Sequence, residues 1–388
     1  MKKILTIILC MMICCTAACA ESSVSISAEG EDWMSYAFTL PDGRMIFTGS
    51  RGKVGNYQEQ KARLLCLNPD RTVSWEYWDP AEGYAHFRGA ALLADGTIGV
   101  VYINSPYQET EAIEIRKFST EGKPIGNAID IFGKGKTSGL VDDITSACIR
   151  MNVYTDDGKE QRGFLDWEGN LIFSFDRKKM IGVRSTFAAG DGLVLAGNEI
   201  GGSSNAKIMK VDMQGNAIWE TVLPLMLENG ARAWIDKCVQ APDGGYLAWI
   251  IESDYNSDQW AHALARFDQN GRKLWLNKES FDDSPTIGCT HLIEYQGKAV
   301  MLERNNDLSG MQVYHWFDQN GNAIGRTELT IYREDDPSDQ EHLQVMPQSL
   351  IIMEDGLWVL NDLRVSNDNV LKEMDSKDDI LYKVPELI

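Results

Sequence analysis

Six residues have the types and the spacing to build a binding site. The chain carries a recurring Asp-Gly turn. Counted back from its aspartate, the ninth positions include Trp33, His86 and Trp234, and the seventh include Arg88, Arg184 and Asp236. An indole offers a flat apolar face and one N–H donor. A guanidinium takes a carboxylate or phosphate through paired hydrogen bonds, while imidazole and carboxylate exchange protons. Brought to one place, the six would line a concave polar-aromatic ligand site. The competing reading is structural: the indoles pack between neighbouring units and the arginines bridge them.

Catalytic patterns are missing from the sequence. No G-x-S-x-G elbow is present, and Gly202-Ser203-Ser204 reads as a hairpin loop. The five histidines, His86, His262, His291, His315 and His342, form neither H-x-x-x-H nor H-E-x-x-H. A phosphate-cradling G-x-x-x-x-G-K-[ST] is absent, so neither cofactor nor metal is implied. The sialidase Asp-box needs two steps from Asp to Gly and a preceding Ser; the turns here take three steps and lack the Ser. With 57 acidic residues a carboxylate pair suited to glycoside chemistry stays open. The acidic runs Arg333–Glu341 and Asp375–Asp379 lack EF-hand spacing and read as solvated loop charge.

What must position these residues is a repeat. The Asp-Gly turn recurs at Asp42-Gly43, Asp95-Gly96, Asp191-Gly192, Asp243-Gly244 and Asp355-Gly356, with Gln296-Gly297 as a degenerate copy. Intervals between its glycines lie at 52–59 residues, except for one of 96 that skips a copy. A second signature, Asp-x-x-Gly-x-x-apolar-aromatic, is clearest at Asp212–Trp219 and Asp268–Trp275. It continues at Asp166–Phe173, Asp318–Gly321, Ser119–Gly122 and Asn68–Trp75, passing through the skipped place. Together the two series count seven units. Asp-Gly and Asn-Gly tolerate the positive φ of tight hairpins. Short Val/Ile/Leu/aromatic runs between the turns read as four strands per unit, as at 232–240, 245–252, 261–267 and 273–279.

A period near 50 residues with four strands per unit predicts an all-β fold, a seven-bladed β-propeller of four-stranded antiparallel blades. A sandwich pair does not explain seven like-spaced units, and a β-solenoid coil is shorter. The last unit holds only three strands, at 348–353, 357–363 and 379–384. Ser23–Ala28 is an orphan strand before the first unit and is expected to close the last blade as its outer strand. The units resemble the bacterial propellers built from quinoprotein-like and delta-60-type repeats. That resemblance implies the fold and the kind of scaffold shared by outer-membrane assembly lipoproteins, and it transfers no catalytic residue.

Met1-Lys2-Lys3, the apolar run Ile4–Cys15 and the small residues Thr16–Ala20 form a secretory leader pattern. Two processing readings stay open: cleavage after Ala20, or a lipobox that makes Cys19 a lipidated N-terminus. Residues 1–20 are thus expected to be a signal peptide and 21–388 a single propeller domain, with no other transmembrane segment. Outside the leader only Cys66, Cys148, Cys238 and Cys289 remain, each in an apolar run and too far apart for a C-x-x-C site. Buried free thiols and one or two disulfides are both allowed. A net charge of −20 argues against nucleic acid and anionic lipid as partners. The expectation is an exported, monomeric, non-catalytic binding or scaffold module at the bacterial cell surface, with a protein or glycan ligand. The alternative is a secreted carbohydrate-active enzyme using a carboxylate pair at the channel mouth.

Overall fold

The structure is a computed structural model that describes residues 23–26, 31–53, 56–80, 84–105, 112–131, 141–154, 160–175, 182–199, 205–224, 226–227, 232–254, 259–279, 288–303, 311–331, 343–366 and 374–387. Its strands form seven antiparallel four-stranded sheets, and among the described residues there is no helix. Six sheets are simple meanders: blade 1 spans residues 31–78, blade 2 84–130, blade 3 141–175, blade 4 182–222, blade 5 232–279 and blade 6 289–330. The first strands of successive blades touch one another around the ring, which makes them the inner wall of a central channel.

Burial follows from this stacking. The second strand of each blade is covered on both faces by neighbouring blades, so it reads as an unbroken apolar run. Leu193, Val194, Leu195 and Ala196 are all fully buried, as is nearly all of Tyr246–Ile251. The fourth strand forms the rim and alternates exposed with half-buried positions, as in Ala217–Val222. Core clusters straddle blade boundaries, for instance Ile46, Leu64 and Cys66 of blade 1 with Phe87, Val100 and Phe118 of blade 2.

Blade 7 closes as the sequence predicts. Its strands run Leu343–Met353, Gly356–Ser366 and Met374–Lys383, and the fourth place is taken by Ser23–Ser25, paired antiparallel with Ile380–Tyr382. Three more contacts fix the seam. Ile26 is buried and its N–H donates to the Asp379 carbonyl at 3.1 Å. The Ile26 carbonyl accepts from Arg63 of blade 1 at 3.2 Å. The Asp379 carboxylate accepts the Met34 N–H of blade 1 at 2.9 Å.

The second signature has a double purpose. Its aspartate caps its own turn: the Asp212 carboxylate accepts from Gln214 N at 2.9 Å and Asn216 N at 2.8 Å. Asp166, Asp268 and Asp318 do the same. Its aromatic residue then lies on the turn glycine of the next blade. Trp75 covers Gly122, Phe173 covers Gly215, Trp219 covers Gly271 and Trp275 covers Gly321. A Cβ on Gly271 would sit 2.3 Å from the Trp219 ring. Each of these glycines also holds a φ between 75° and 82°. The signature is therefore a grip of one blade on the next, made by an aromatic ring at four of the seven blade boundaries.

Cys66, Cys148, Cys238 and Cys289 are buried thiols in no disulfide. Burial pushes the Cys66 thiol up to about 11 and the Cys148 thiol up to about 12.

Candidate functional site at the channel mouth

Every inner strand is interrupted at the same place. The register with the second strand slips at Met34/Tyr36, Phe87/Gly89, Val141/Asp143, Val183/Ser185, Ile235/Lys237, Cys289/His291 and Pro347/Ser349. Each slip is a β-bulge that leaves one residue unpaired on the channel-lining strand. The seven bulge residues are Ser35, Arg88, Asp142, Arg184, Asp236, Thr290 and Gln348. Three of the sequence-derived site residues, Arg88, Arg184 and Asp236, are therefore bulge residues on one level of the ring.

Around Arg184 the site is fully built. Its guanidinium donates to Asp236 of the next blade at 3.2 Å and lies 5.1 Å from the centre of the Trp234 ring. Trp234 in turn meets Trp260 edge-on, with ring centroids 6.3 Å apart. Asp236 is buried, and its second oxygen accepts the Cys289 N–H of blade 6 at 3.2 Å. One carboxylate thus ties blades 4, 5 and 6 together. The Arg184 side chain nevertheless keeps 48% of its surface open. A cation held on two sides and open on a third is preorganised for an anion. The charge of Asp236 is already divided between that arginine and a backbone amide.

The backbone below Arg184 is also fixed. Arg150, buried in blade 3, donates to the carbonyls of Val183 at 3.1 Å and Arg184 at 3.5 Å, and pairs with Asp143 at 3.7 Å. Asp143 accepts the Thr186 N–H at 2.8 Å. Cys238 N donates to Ser185 Oγ at 3.2 Å, repeating the blade-to-blade link one step on. These pegs hold each inner strand against the next, and they explain polar residues inside otherwise apolar runs.

Trp234, Arg184 and Asp236 are therefore brought together, and the side chain that bridges the blades, Arg184, is also the one left half open. His86 and Arg88 stand on blade 2, two blades round the ring, with Arg88 exposed. Burial, reinforced by the Arg88 charge, holds the His86 imidazole down to about 4. Near neutral pH it is an uncharged ring packed edge-on against Tyr84. Trp33 belongs to the first blade's inner strand opposite Ser50; its side chain lies outside the described residues, as does Cys19. Sequence counting missed Asp142 and Thr290. Blade 3 lacks the Asp-Gly reference turn, and in blade 6 Gln296 is the first residue of the two-residue turn where Asp191 and Asp355 are the second, which shifts the count by one. Arg150 was also missed, although an arginine inside Cys148–Val153 is a visible anomaly.

Among the described residues no group of His, Cys, Asp or Glu could hold a metal ion, and no helix is long and apolar enough to cross a membrane.

No family model matches the chain, and no curated protein sequence does. Solved structures do. The chain is similar to the β-propeller domain of the Trilobed protease from Pyrococcus furiosus, at 10% identity and a TM-score of 0.48, covering 91% of this chain and 96% of that one. It is similar to acylaminoacyl peptidase from Pyrococcus horikoshii, at 11% identity and a TM-score of 0.48, covering 87% and 51%. It is similar as well to prolyl oligopeptidase B from Galerina marginata, solved with a 35mer hydrolysis and macrocyclization substrate, at 11% identity and a TM-score of 0.48, covering 92% and 51%. The chain spans about half the length of these two whole peptidases. These likenesses bear on the fold alone. The expected non-catalytic surface scaffold, with its glycan-active alternative, is withdrawn: the structures just named are peptidases or the propeller domain of one. The chain is a seven-bladed β-propeller.

Proposed function

We propose that the chain is a peptide-handling propeller whose channel mouth takes the carboxylate of an extended peptide, with Arg184 as the anchoring cation. The observation that carries this reading is the half-open Arg184 guanidinium, clamped between Asp236 and the Trp234 face. A carboxylate is the planar two-oxygen partner that fits a fixed guanidinium. Trp234 and Trp260 beside it supply an apolar wall for the neighbouring side chain. Arg88 on the same ring level gives a second cationic position for a longer ligand, with Trp33 and His86 on the same inner wall.

The test is a titration of peptides with free and amidated C-termini against wild type, Arg184→Ala and Arg184→Lys. The free acid binds wild type best, and amidation weakens binding about tenfold, as the loss of one charge-assisted pair implies. Lysine restores little, because a point charge does not reproduce the fork. Equal binding of acid and amide refutes the role of Arg184. The leader pattern supports export, with lipidation at Cys19 or cleavage after Ala20. The turn signatures support quinoprotein-like bacterial repeats as the origin of the blades. Intact mass of the secreted product distinguishes the two processing routes.

A further inference from the structure

A second cavity lies outside the channel, in the wedge between blades 5 and 6. It holds about 280 Å³, and its walls include Arg266, Trp275, Leu274, Glu294, Asp318 and Gln319. Another wedge of the same propeller shows what such a place accommodates. Between blades 1 and 2, Arg44 follows the Asp-Gly turn and crosses to the next blade. It donates to Asp42 Oδ2 at 2.8 Å, to the Thr120 carbonyl at 3.0 Å and to Glu121 at 3.1 Å, with 14% of its side chain exposed.

The registers of the two blades align residue by residue. Thr39 opposite Met45 matches Gln240 opposite Tyr246, so Asp243 stands where Asp42 does and Gly245 where Arg44 does. The turn residue Gln319 stands where Thr120 does, and Trp275 where Trp75 does. A glycine thus replaces the crossing arginine, and among the described residues no side chain donates to the Gln319 carbonyl. Arg266, from the third strand of blade 5, pairs with Asp243 at 2.9 Å and with Glu294 of blade 6, but it leaves the cavity beside it open. Asp243, Glu294 and Asp318 against the single Arg266 leave the lining net acidic, and Leu274 and the Trp275 ring offer apolar surface next to it.

We infer that this wedge binds a guanidinium group on an apolar stem, supplied from outside the chain, in the place that Arg44 fills from within between blades 1 and 2. The cation would meet the Gln319 carbonyl and the Asp318 carboxylate, and the stem would lie on Leu274 and the indole of Trp275. This site is independent of the channel mouth and of the reading given to it.

Calorimetric titration of the full chain tests it, with agmatine and a capped Gly-Arg-Gly peptide as probes. Wild type is expected to bind with one saturable site, and raising salt from about 0.05 M to about 0.5 M weakens binding about fivefold. Leu274→Arg and Gln319→Arg place a cation in the wedge from exposed positions and are expected to weaken binding about tenfold or more, since they compete from within. Arg184→Ala leaves it unchanged. Tighter binding of the peptide makes a protein side chain the source of the group; tighter binding of agmatine makes it a free small molecule. Two results overturn the inference: no saturable binding of either probe, or binding that both arginine variants leave intact, which is general attraction to an acidic surface.

Discussion

The glycine–aromatic grip between blades yields a sharp quantitative expectation. Gly96 and Gly271 have nearly the same backbone, with φ of 82° and 76°. An alanine at either adopts the left-handed region at a cost of about 1–2 kcal/mol. Around Gly96 nothing lies within 4 Å of a Cβ, so Gly96→Ala costs that and no more. At Gly271 the added carbon lands 2.3 Å from the Trp219 ring, well inside van der Waals contact. The ring or the turn of the next blade must move, which adds about 1–3 kcal/mol as overpacking does. Gly271→Ala is therefore expected to lose about 3 kcal/mol and Gly96→Ala about 1, measured by urea unfolding at a shared m-value. Adding Trp219→Ala removes the collision, so a double-mutant cycle returns a coupling of about 1–2 kcal/mol between residues on different blades. Equal losses at the two glycines, within about 0.5 kcal/mol, or a coupling near zero, would refute the grip.

Three further outcomes follow from the same structure. Deleting residues 21–29 removes the outer strand of blade 7 and the buried Ile26, and even Ile26→Ala alone should cost about 2 kcal/mol or more; an unchanged thermal midpoint contradicts closure by the chain's two ends. Cys66, Cys148, Cys238 and Cys289, all buried, the first three with thiol pKa values raised by burial, should resist iodoacetamide at pH 8 in the native protein and react after denaturation, as read by mass. His86, His262 and His291 are each held down to about 4 from an ordinary 6.5, with burial as the first cause. Unfolding lets them take protons between those values, so stability is full above pH 6.5 and falls as pH drops toward 4. His262→Phe should flatten that part of the unfolding profile, and a profile identical to wild type contradicts the assignment.

Much of the fold was legible because repeats write the same local physics several times. Asp-Gly and Asp-x-x-Gly mark turns needing positive φ, and their spacing counts the blades before any contact is known. The missing strand of the last unit and the orphan at Ser23 are likewise arithmetic. The channel-mouth residues were half legible. Counting back seven found Ser35, Arg88, Arg184, Asp236 and Gln348, because in all five blades the bulge stands seven residues before the aspartate of the turn. It failed at Cys289, where the bulge residue is Thr290, since Gln296 is the first residue of its two-residue turn while Asp191 and Asp355 are the second of theirs.

By itself, then, the sequence determined the number of units, the strands in each and the chain ends that join. Local hydrogen bonding and alternating burial settle these within a few residues of each position. Only the tertiary structure decided which residues meet. That the Asp236 charge is divided between Arg184 and the Cys289 amide, and that Trp219 needs a bare glycine at Gly271, depends on contacts across more than 50 positions of chain. The same holds for the wedge of blades 5 and 6. Gly245 looks like an ordinary turn residue in sequence, and only the strand register, which sets it at the position of Arg44, shows that no arginine crosses this wedge from the turn.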